Sequence, residues 1–232
     1  MTPLLEKTVR ILADWRKPWD AQAVGIVSPQ ALLSAISAAK VFVVDEAETD
    51  TTIARDMHPG YFATTTGFYL PETVCWYEYK AYRPTPDGRL AFTGMRSAFL
   101  AMSDPTDGVV VFIVSELPMA DGWAFMPGFG FEKDLERRPV VVEGKPIVIR
   151  LPEVRSEHLT PARLNTASNF FLELVELVNM PTGVVRAEEP VNRGFRRRLA
   201  SAMSRVDFDL QPVTRVSLDL GDLHRRSVGG AA

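Results

Sequence analysis

A carboxylate in an aromatic segment is the first residue of this sequence whose type and position could do acid or base chemistry. Glu78 follows Trp76 by two residues in Val74-Cys75-Trp76-Tyr77-Glu78, a segment typical of a β-strand. Strand alternation places the two side chains on one face. If that face is the core, burial raises the pKa of the Glu78 carboxyl group, as a catalytic acid requires. The alternative is a Trp76 face open to solvent, with Tyr77 and Tyr79 directed inward.

The histidines offer a base but no metal-binding pattern. His58 lies two residues after Asp56 and directly before Pro59-Gly60, so a turn would bring its imidazole beside a carboxylate that orients it. The competing interpretation is a loop histidine whose neighbouring Asp closes the turn. His58, His158 and His224 are far apart and belong to no HExxH or His-x-His pattern, so we expect no metal site. Glu78 and His58 together define a hypothetical enzyme site.

A cluster of arginines near the C-terminus could bind phosphate groups. The cluster comprises Arg193, Arg196, Arg197 and Arg198. On a helix over about 192–205, Arg193, Arg196 and Arg197 share one face, opposite an apolar stripe of Phe195, Leu199 and Met203. Guanidinium groups at this spacing suit anions or nucleic acid. The competing interpretation is a solvated face, balanced by Glu188, Glu189, Asp207 and Asp209.

Other chemistry-bearing residues favour structural roles. Cys75 lies within the predicted strand, where a free cysteine usually acts as a small buried hydrophobe. Gly128-Phe129-Gly130-Phe131 lacks the following glycine and lysine of a phosphate loop. Trp123, Phe125, Phe129 and Phe131 suit either a ligand wall or a small core beneath a loop. GxSxG, Walker, DxDxDG and CxxC motifs are absent from the sequence, and we expect no cofactor.

Composition narrows the class of protein. The chain has 232 residues, 46% hydrophobic and 24% charged, which is enough for a sizeable core and excludes collagen-like and disordered classes. A net charge of −3 gives no overall attraction to nucleic acid or to an anionic membrane. One cysteine allows no internal disulfide, so a reducing compartment is expected. Charged residues interrupt Met1–Trp19, and the longest apolar run, Val109–Val114, is far too short to span a bilayer. We therefore expect a soluble cytoplasmic protein, without membrane contact.

Three helix starts share one design, a capping hydroxyl followed by proline. They are Thr2-Pro3, Ser28-Pro29 and Thr160-Pro161. Proline lacks a backbone N–H, but the N–H at the first helical position has no partner within the helix, so its absence costs no hydrogen bond. The sequence therefore predicts helices over about 3–16, 29–40 and 161–179. The third has a pronounced apolar stripe.

Extended segments lie between the second and third helices. We predict strands over 74–83, 89–103 and 109–114, joined by proline- and glycine-containing turns. A further hairpin is predicted from 139–142 and 146–151. The polar segment 45–56 and the glycine- and aromatic-rich segment 118–134 are predicted loops.

These elements predict an α+β fold, in which an antiparallel β-meander is flanked by N-terminal and C-terminal helices. The predicted organisation is a sheet domain over 1–152, a helical subdomain packed on it over 153–226, and a flexible tail over 227–232.

Two segments carry a family resemblance. One is Leu70-Pro71 leading to Trp76 and Glu78, and the other is Phe171–Asn179 followed by Asn192, the arginine cluster and the strand Val213–Leu220. This order resembles that of uncharacterised proteins encoded in alphaproteobacterial genomes and prophages. The sequence departs from them at Met203–Asp207, where a Gly-Lys-Pro-Pro-like segment would be expected. The resemblance implies a phage or mobile-element origin and carries no activity.

Three functions follow in order of preference. The first is a non-enzymatic binding or assembly protein that contacts a protein partner or a second copy of itself. The second is a nucleic-acid-binding protein that uses the arginine cluster. The third is an enzyme built on Glu78 and His58. The expected location is the cytoplasm of a bacterial or infected cell.

Overall fold

A computed structural model shows four helices and nine strands among the residues that it describes. Those residues are 2–16, 28–57, 70–87, 90–104, 108–117, 122–131, 139–141, 147–149, 161–191 and 211–222. The helices are α1 (Pro3–Ala13), α2 (Pro29–Ala38), α3 (Ala47–Met57) and α4 (Pro161–Asn179). The strands are β1 (Lys40–Val44), β2 (Val74–Pro84), β3 (Leu90–Asp104), β4 (Gly108–Glu116), β5 (Trp123–Phe131), β6 (Pro139–Val141), β7 (Ile147–Ile149), β8 (Val184–Glu189) and β9 (Val213–Leu218).

The hydroxyl-proline signal identifies the helix starts correctly. The Thr2 hydroxyl accepts the Leu5 N–H at the start of α1, and the Ser28 hydroxyl accepts the Ala31 N–H at the start of α2. In both helices proline occupies the first turn, where its missing N–H costs no hydrogen bond. The third predicted helix begins at Pro161 and ends at Asn179, as expected.

The sheet is mixed and mostly antiparallel, which agrees with the α+β class. Its strand order is β6-β5-β4-β3-β2-β1-β9-β8, and β7 also pairs with β5. Strands β2 to β5 pair in sequence order and antiparallel. The expectation of antiparallel strands throughout is wrong at β1, which runs parallel to both β2 and β9. Helix α3 lies in the connection from β1 to β2, because parallel neighbours need a crossover.

Two local predictions are also corrected. The polar segment 45–56, predicted as a loop, contains most of helix α3. Two acidic residues in the first turn, Glu48 and Asp50, interact favourably with the helix dipole, and the buried side of the helix consists of Ala47, Thr51 and Ala54. The predicted hairpin of 139–142 and 146–151 is replaced by two short strands that pair with different ends of β5.

Helices cover both faces of the sheet and bury a core on each. On the first face, α1 and α2 pack over Val41, Val43, Trp76 and Leu100. On the second face, α3 and α4 pack over strand residues that include Phe42, Tyr77 and Phe99. The alternation of β1 and β2 side chains explains this division, since successive residues point to opposite faces.

Strand β5 replaces the loop predicted over 118–134 and contributes to both cores. Trp123 and Phe125 belong to the first core, whereas Phe129 and Phe131 belong to the second. Strict alternation would put all four on one face, but the register shifts by one residue opposite Val111 and Phe112. This β-bulge at Gly128 reverses the face. The aromatic residues therefore form core and not a ligand wall.

Strands β8 and β9 extend the same sheet beyond β1, and α4 packs on its second face. The described residues of the predicted subdomain, 161–191 and 211–222, thus include strands of the same sheet and a helix of its second core. The predicted boundary at residue 152 and the tail over 227–232 lie outside the described residues.

Substitution of Gly128 tests the bulge. A Cβ added at this position would lie 2.4 Å from the Val111 carbonyl oxygen, which is backbone and cannot rotate away. We expect Gly128→Ala to destabilise the protein by about 2–3 kcal/mol, as overpacked sites do. Urea denaturation followed by tryptophan fluorescence measures the loss. Gly94→Ala is the comparison variant in another strand of the sheet: its Cβ would meet nothing within 4 Å, so any loss there reports the strain of a positive φ and not a steric clash. An unchanged denaturation midpoint for Gly128→Ala would contradict the role of the bulge.

Candidate functional site

Glu78 is fully buried on the first face of the sheet, beneath the start of α1. The sequence leaves open whether the Trp76 face is core or open to solvent, and the structure shows that it is core, because the Trp76 and Glu78 side chains are both 0% exposed. Tyr77 and Tyr79 are buried as well, in the core of the second face. Burial raises the pKa of the Glu78 carboxyl group, while the hydrogen bond from Thr2 and the charge of Arg96 act against that rise.

Five donors surround the Glu78 carboxylate. The Thr2 hydroxyl and the Trp76 indole N–H donate to Oε2, the latter at 3.3 Å. The backbone N–H groups of Leu4 and Leu5 donate at 3.4 Å and 3.2 Å. Arg96 Nη1 lies 3.4 Å from Oε1. Two carboxylate oxygens offer about four acceptor sites, so these donors occupy them. The carboxylate therefore holds the N-terminus of α1, where the helix dipole favours negative charge.

Arg96 connects Glu78 to a line of charges that we call the ion chain, consisting of Glu78, Arg96, Asp45, Arg215 and Glu189. Arg96 Nη2 lies 2.6 Å from Asp45 Oδ1, and Arg215 Nη1 lies 3.1 Å from Asp45 Oδ2. Arg215 Nε lies 2.6 Å from Glu189 Oε1. Side-chain exposure rises along the chain from 0% at Glu78 to 42% at Glu189. The ion chain thus runs from the first core to the surface.

Sequence reasoning identified Glu78 but missed the rest of the ion chain. Asp45 directly follows β1, whereas Arg96 and Arg215 lie in β3 and β9. These strands come together only through the pairing of β1 with β2 and β9. The one signal present in the sequence is an arginine in the interior of a strand whose other interior residues are uncharged. Arg96 in β3 and Arg215 in β9 both show it.

A second polar group lies beside the ion chain. Glu46 accepts hydrogen bonds from Lys80 and Tyr82. The bond from Lys80, followed by that from Tyr82, lowers the pKa of Glu46. Burial and the bond to Glu46 raise the pKa of Tyr82 to about 12. These groups are paired with one another, which favours a structural role for them.

Among the carboxyl groups of α3, Asp50 has the pKa that burial raises most. It lies in the first turn of the helix and accepts a hydrogen bond from the backbone of Leu218 in β9. Burial raises its pKa to about 6, because the Leu218 bond compensates only part of the lost solvation. Asp50 therefore connects α3 to β9, but its position in the fold destabilises the ionised carboxylate relative to the protonated acid.

The other predicted site residues have mixed outcomes. Cys75 is a buried free cysteine whose thiol pKa is raised by burial, as expected for a structural residue. His58 and the arginine cluster lie outside the described residues, so their pairing with Glu78 or with an anion stays a prediction. Helix α3, which ends one residue before His58, packs on the second face, whereas Glu78 lies on the first. Among the described residues, no group of three or more potential ligands could hold a metal ion.

Strand β8 is an exposed edge of the sheet. It pairs with β9 along one side, and no other described strand pairs with its second side. Val185 is 50% exposed, an unusual value for a large apolar side chain in this protein. Arg186 anchors the strand, since its Nη2 donates to the carbonyl oxygens of Val178 at 2.7 Å and Met180 at 2.5 Å, at the end of α4.

Comparison of the chain with family models, with curated proteins and with solved structures finds no match. Within the described part of the chain, none of the helices is both long and apolar enough to cross a bilayer.

Replacement of Glu78 tests its role at the start of α1. We expect Glu78→Ala to destabilise the protein by about 3–5 kcal/mol, because Arg96 and the buried N–H donors lose their acceptor. Glu78→Gln keeps one carbonyl acceptor and should lose less. Urea denaturation of both variants measures the difference. Equal stability of the wild type and Glu78→Ala would show that the carboxylate does not hold the helix.

Asp50 predicts a pH dependence. Its pKa is 3.8 ordinarily and about 6 in the folded protein, so the folded state binds the proton more tightly. Its contribution to stability is therefore fully present below about pH 4 and is lost as the pH rises through 6. Asp50→Asn should be more stable than the wild type at pH 7.5, by on the order of 1 kcal/mol after allowance for solvent screening, with little gain near pH 4.

Thermal unfolding across this pH range checks the Asp50 prediction. Glu72→Gln is the control, since Glu72 is exposed and lies outside α3. A gain for Asp50→Asn that did not change with pH would contradict the assignment of the shift to Asp50.

Proposed function

We propose that the chain is a non-enzymatic binding or assembly protein of phage or mobile-element origin, which acts through protein–protein contacts. The observation that carries the proposal is the second side of β8, along which no other described strand pairs and where residues 185–188 are exposed. Backbone N–H and C=O groups along an open edge can pair with a strand of another chain, a common mode of peptide and subunit recognition.

The sequence of β8 supports pairing more than protection. Edge strands that avoid association are often very short or carry proline or charged side chains, lysine especially. Strand β8 has six residues, Val-Val-Arg-Ala-Glu-Glu, without proline or lysine, and its three charged residues are of both signs, so the side chains of a partner can complement them. Val185, Arg186, Ala187 and Glu188 are all exposed. The strand is thus accessible, and Arg186 and the bonds to β9 hold its backbone in place.

The surroundings of Glu78 support a structural role over a catalytic one. Its carboxylate is occupied by the start of α1, Trp76 and Arg96, and it is 0% exposed. A catalytic carboxylate must reach the proton that it transfers. We also propose a cytoplasmic location, which the buried free thiol of Cys75 supports, since reducing compartments preserve free cysteines.

Binding by a strand of a partner is tested at Glu188. Glu188→Pro removes a backbone donor and should disrupt edge pairing, whereas Glu188→Thr keeps the N–H and favours a strand. Both variants lose the exposed contact of Glu188 with Lys40, so Glu188→Thr is the matched control.

The first step is to identify a protein that the wild type captures from extracts of the native host and to produce that protein in pure form. Calorimetry then measures its affinity for the wild type and for each variant. Light scattering measures self-association in parallel. We expect Glu188→Pro to weaken the contact at least tenfold, while Glu188→Thr, which keeps the backbone N–H and loses only side-chain contacts, weakens it far less. A contact that both variants retain equally, or a wild type with neither partner nor self-association, would overturn the proposed function.

A further inference from the structure

The hydrogen-bond pattern of β8 determines which of its backbone groups face outward. The Asp219 N–H donates to the Gly183 carbonyl oxygen at 2.9 Å, one pair beyond the register in which Val184 opposes Leu218. In an antiparallel pair, hydrogen-bonded and non-hydrogen-bonded positions alternate. Val185, Ala187 and Glu189 therefore direct their backbone groups to β9. Those of Val184, Arg186 and Glu188 point to the open side.

This alternation limits how β8 could pair with β8 of a second copy. A twofold axis gives an antiparallel pair and requires outward-facing residues to oppose outward-facing residues. One residue of β8 must then lie directly opposite its own copy, with the axis midway between the two, and the positions available for that residue are Val185, Arg186, Ala187 and Glu188.

Charge selects one of these registers. An axis at Arg186 or Glu188 places two like charges directly opposite each other, which is destabilising. An axis at Val185 places Arg186 opposite the second Val184. An axis at Ala187 places Arg186 opposite Glu188 of the other copy, twice by symmetry. Arg186 and Glu188 lie on the same face of the strand, so both charge pairs form on one side of the sheet.

We propose that β8 pairs with β8 of a second copy of this chain, antiparallel and with the twofold axis at Ala187. This partner assignment rests on the proposed function and makes it specific. Arg186 and the second Glu188 exchange backbone hydrogen bonds, and so do Glu188 and the second Arg186. The two Ala187 residues meet as a non-hydrogen-bonded pair, and the two sheets become one continuous sheet.

The side chains at the axis permit this approach. Ala187 is exposed, and its methyl group is small enough for the short Cα separation of a non-hydrogen-bonded pair, about 4.5 Å. The two described hydrogen bonds of Arg186 both use Nη2, whereas a guanidinium group has five N–H donors. Arg186 can therefore hold the end of α4 and contact the second Glu188 together.

A cysteine at the axis tests the register. Two Ala187→Cys residues would oppose each other at a Cα separation that suits a disulfide. Val185→Cys lies on the same face, but its symmetric copy would be four residues away along the strand, roughly 13 Å. We expect Ala187→Cys to form a covalent dimer under mild oxidation at least tenfold faster than Val185→Cys. The wild type should form none, since Cys75 is buried.

A charge reversal tests the pairing itself. Glu188→Arg places like charges opposite each other at both symmetric positions, and Glu188 is exposed, so the fold should be retained. We expect it to raise the dimer dissociation constant at least fivefold in sedimentation equilibrium. Glu173→Arg is the control, as it changes a partly exposed carboxylate on α4, away from β8. Circular dichroism checks that both variants fold.

The outcomes separate this inference from the proposed function. A monomeric wild type, or equal oxidation rates for Ala187→Cys and Val185→Cys, overturns the pairing of β8 with itself. If a heterologous partner then binds the wild type and loses affinity with Glu188→Pro, the proposed function stands and its occupant is that partner. If neither contact depends on β8, both proposals fail.

Discussion

The fold depends on how it accommodates one buried charge. A carboxylate in an apolar core is costly unless donors replace the water that it loses. Glu78 obtains them from the first turn of α1 and from Trp76 and Arg96, and through this it connects a helix to the centre of the sheet. The Thr2 hydroxyl serves both partners, since it donates to Glu78 and also accepts the Leu5 N–H as the cap of α1. The cap and the buried carboxylate therefore stabilise each other.

Arg96 extends this arrangement to the strands on either side. Through Asp45 it reaches the end of β1, and Arg215 then connects Asp45 to β9 and Glu189 of β8. The ion chain thus crosses the sheet from β3 to β8, where β1 runs parallel to its two neighbours. Its inner members are largely shielded from solvent and its outer members are half-exposed, so the inner contacts resist salt more than the outer ones.

Local signals predicted local structure well. A hydroxyl before proline predicts the starts of α1 and α2, and strand alternation predicts that Glu78 shares the Trp76 face, although only the structure shows that this face is core. Non-local pairing was harder to predict. The parallel contacts of β1 join segments that are distant in sequence. The bulge at Gly128 interrupts the alternation of side chains in β5, so the sequence pattern does not predict this strand. The same holds for the site: Glu78 was found from its neighbours, whereas Asp45 and Arg215 are 170 residues apart.

The position of β1 has a consequence for how the chain is made. β1 lies at residues 40–44, but one of its two neighbours, β9, comes from residues 213–218. During synthesis, β9 can cover the second edge of β1 only after most of the described chain has left the ribosome. Until then the backbone N–H and C=O groups on the β9 side of Val41 and Val43 have no strand to pair with. Such long-range closure slows folding and leaves nascent chains open to association with one another. Docking of β9 therefore also protects the chain, because it covers the edge of β1 that would otherwise be available to another molecule.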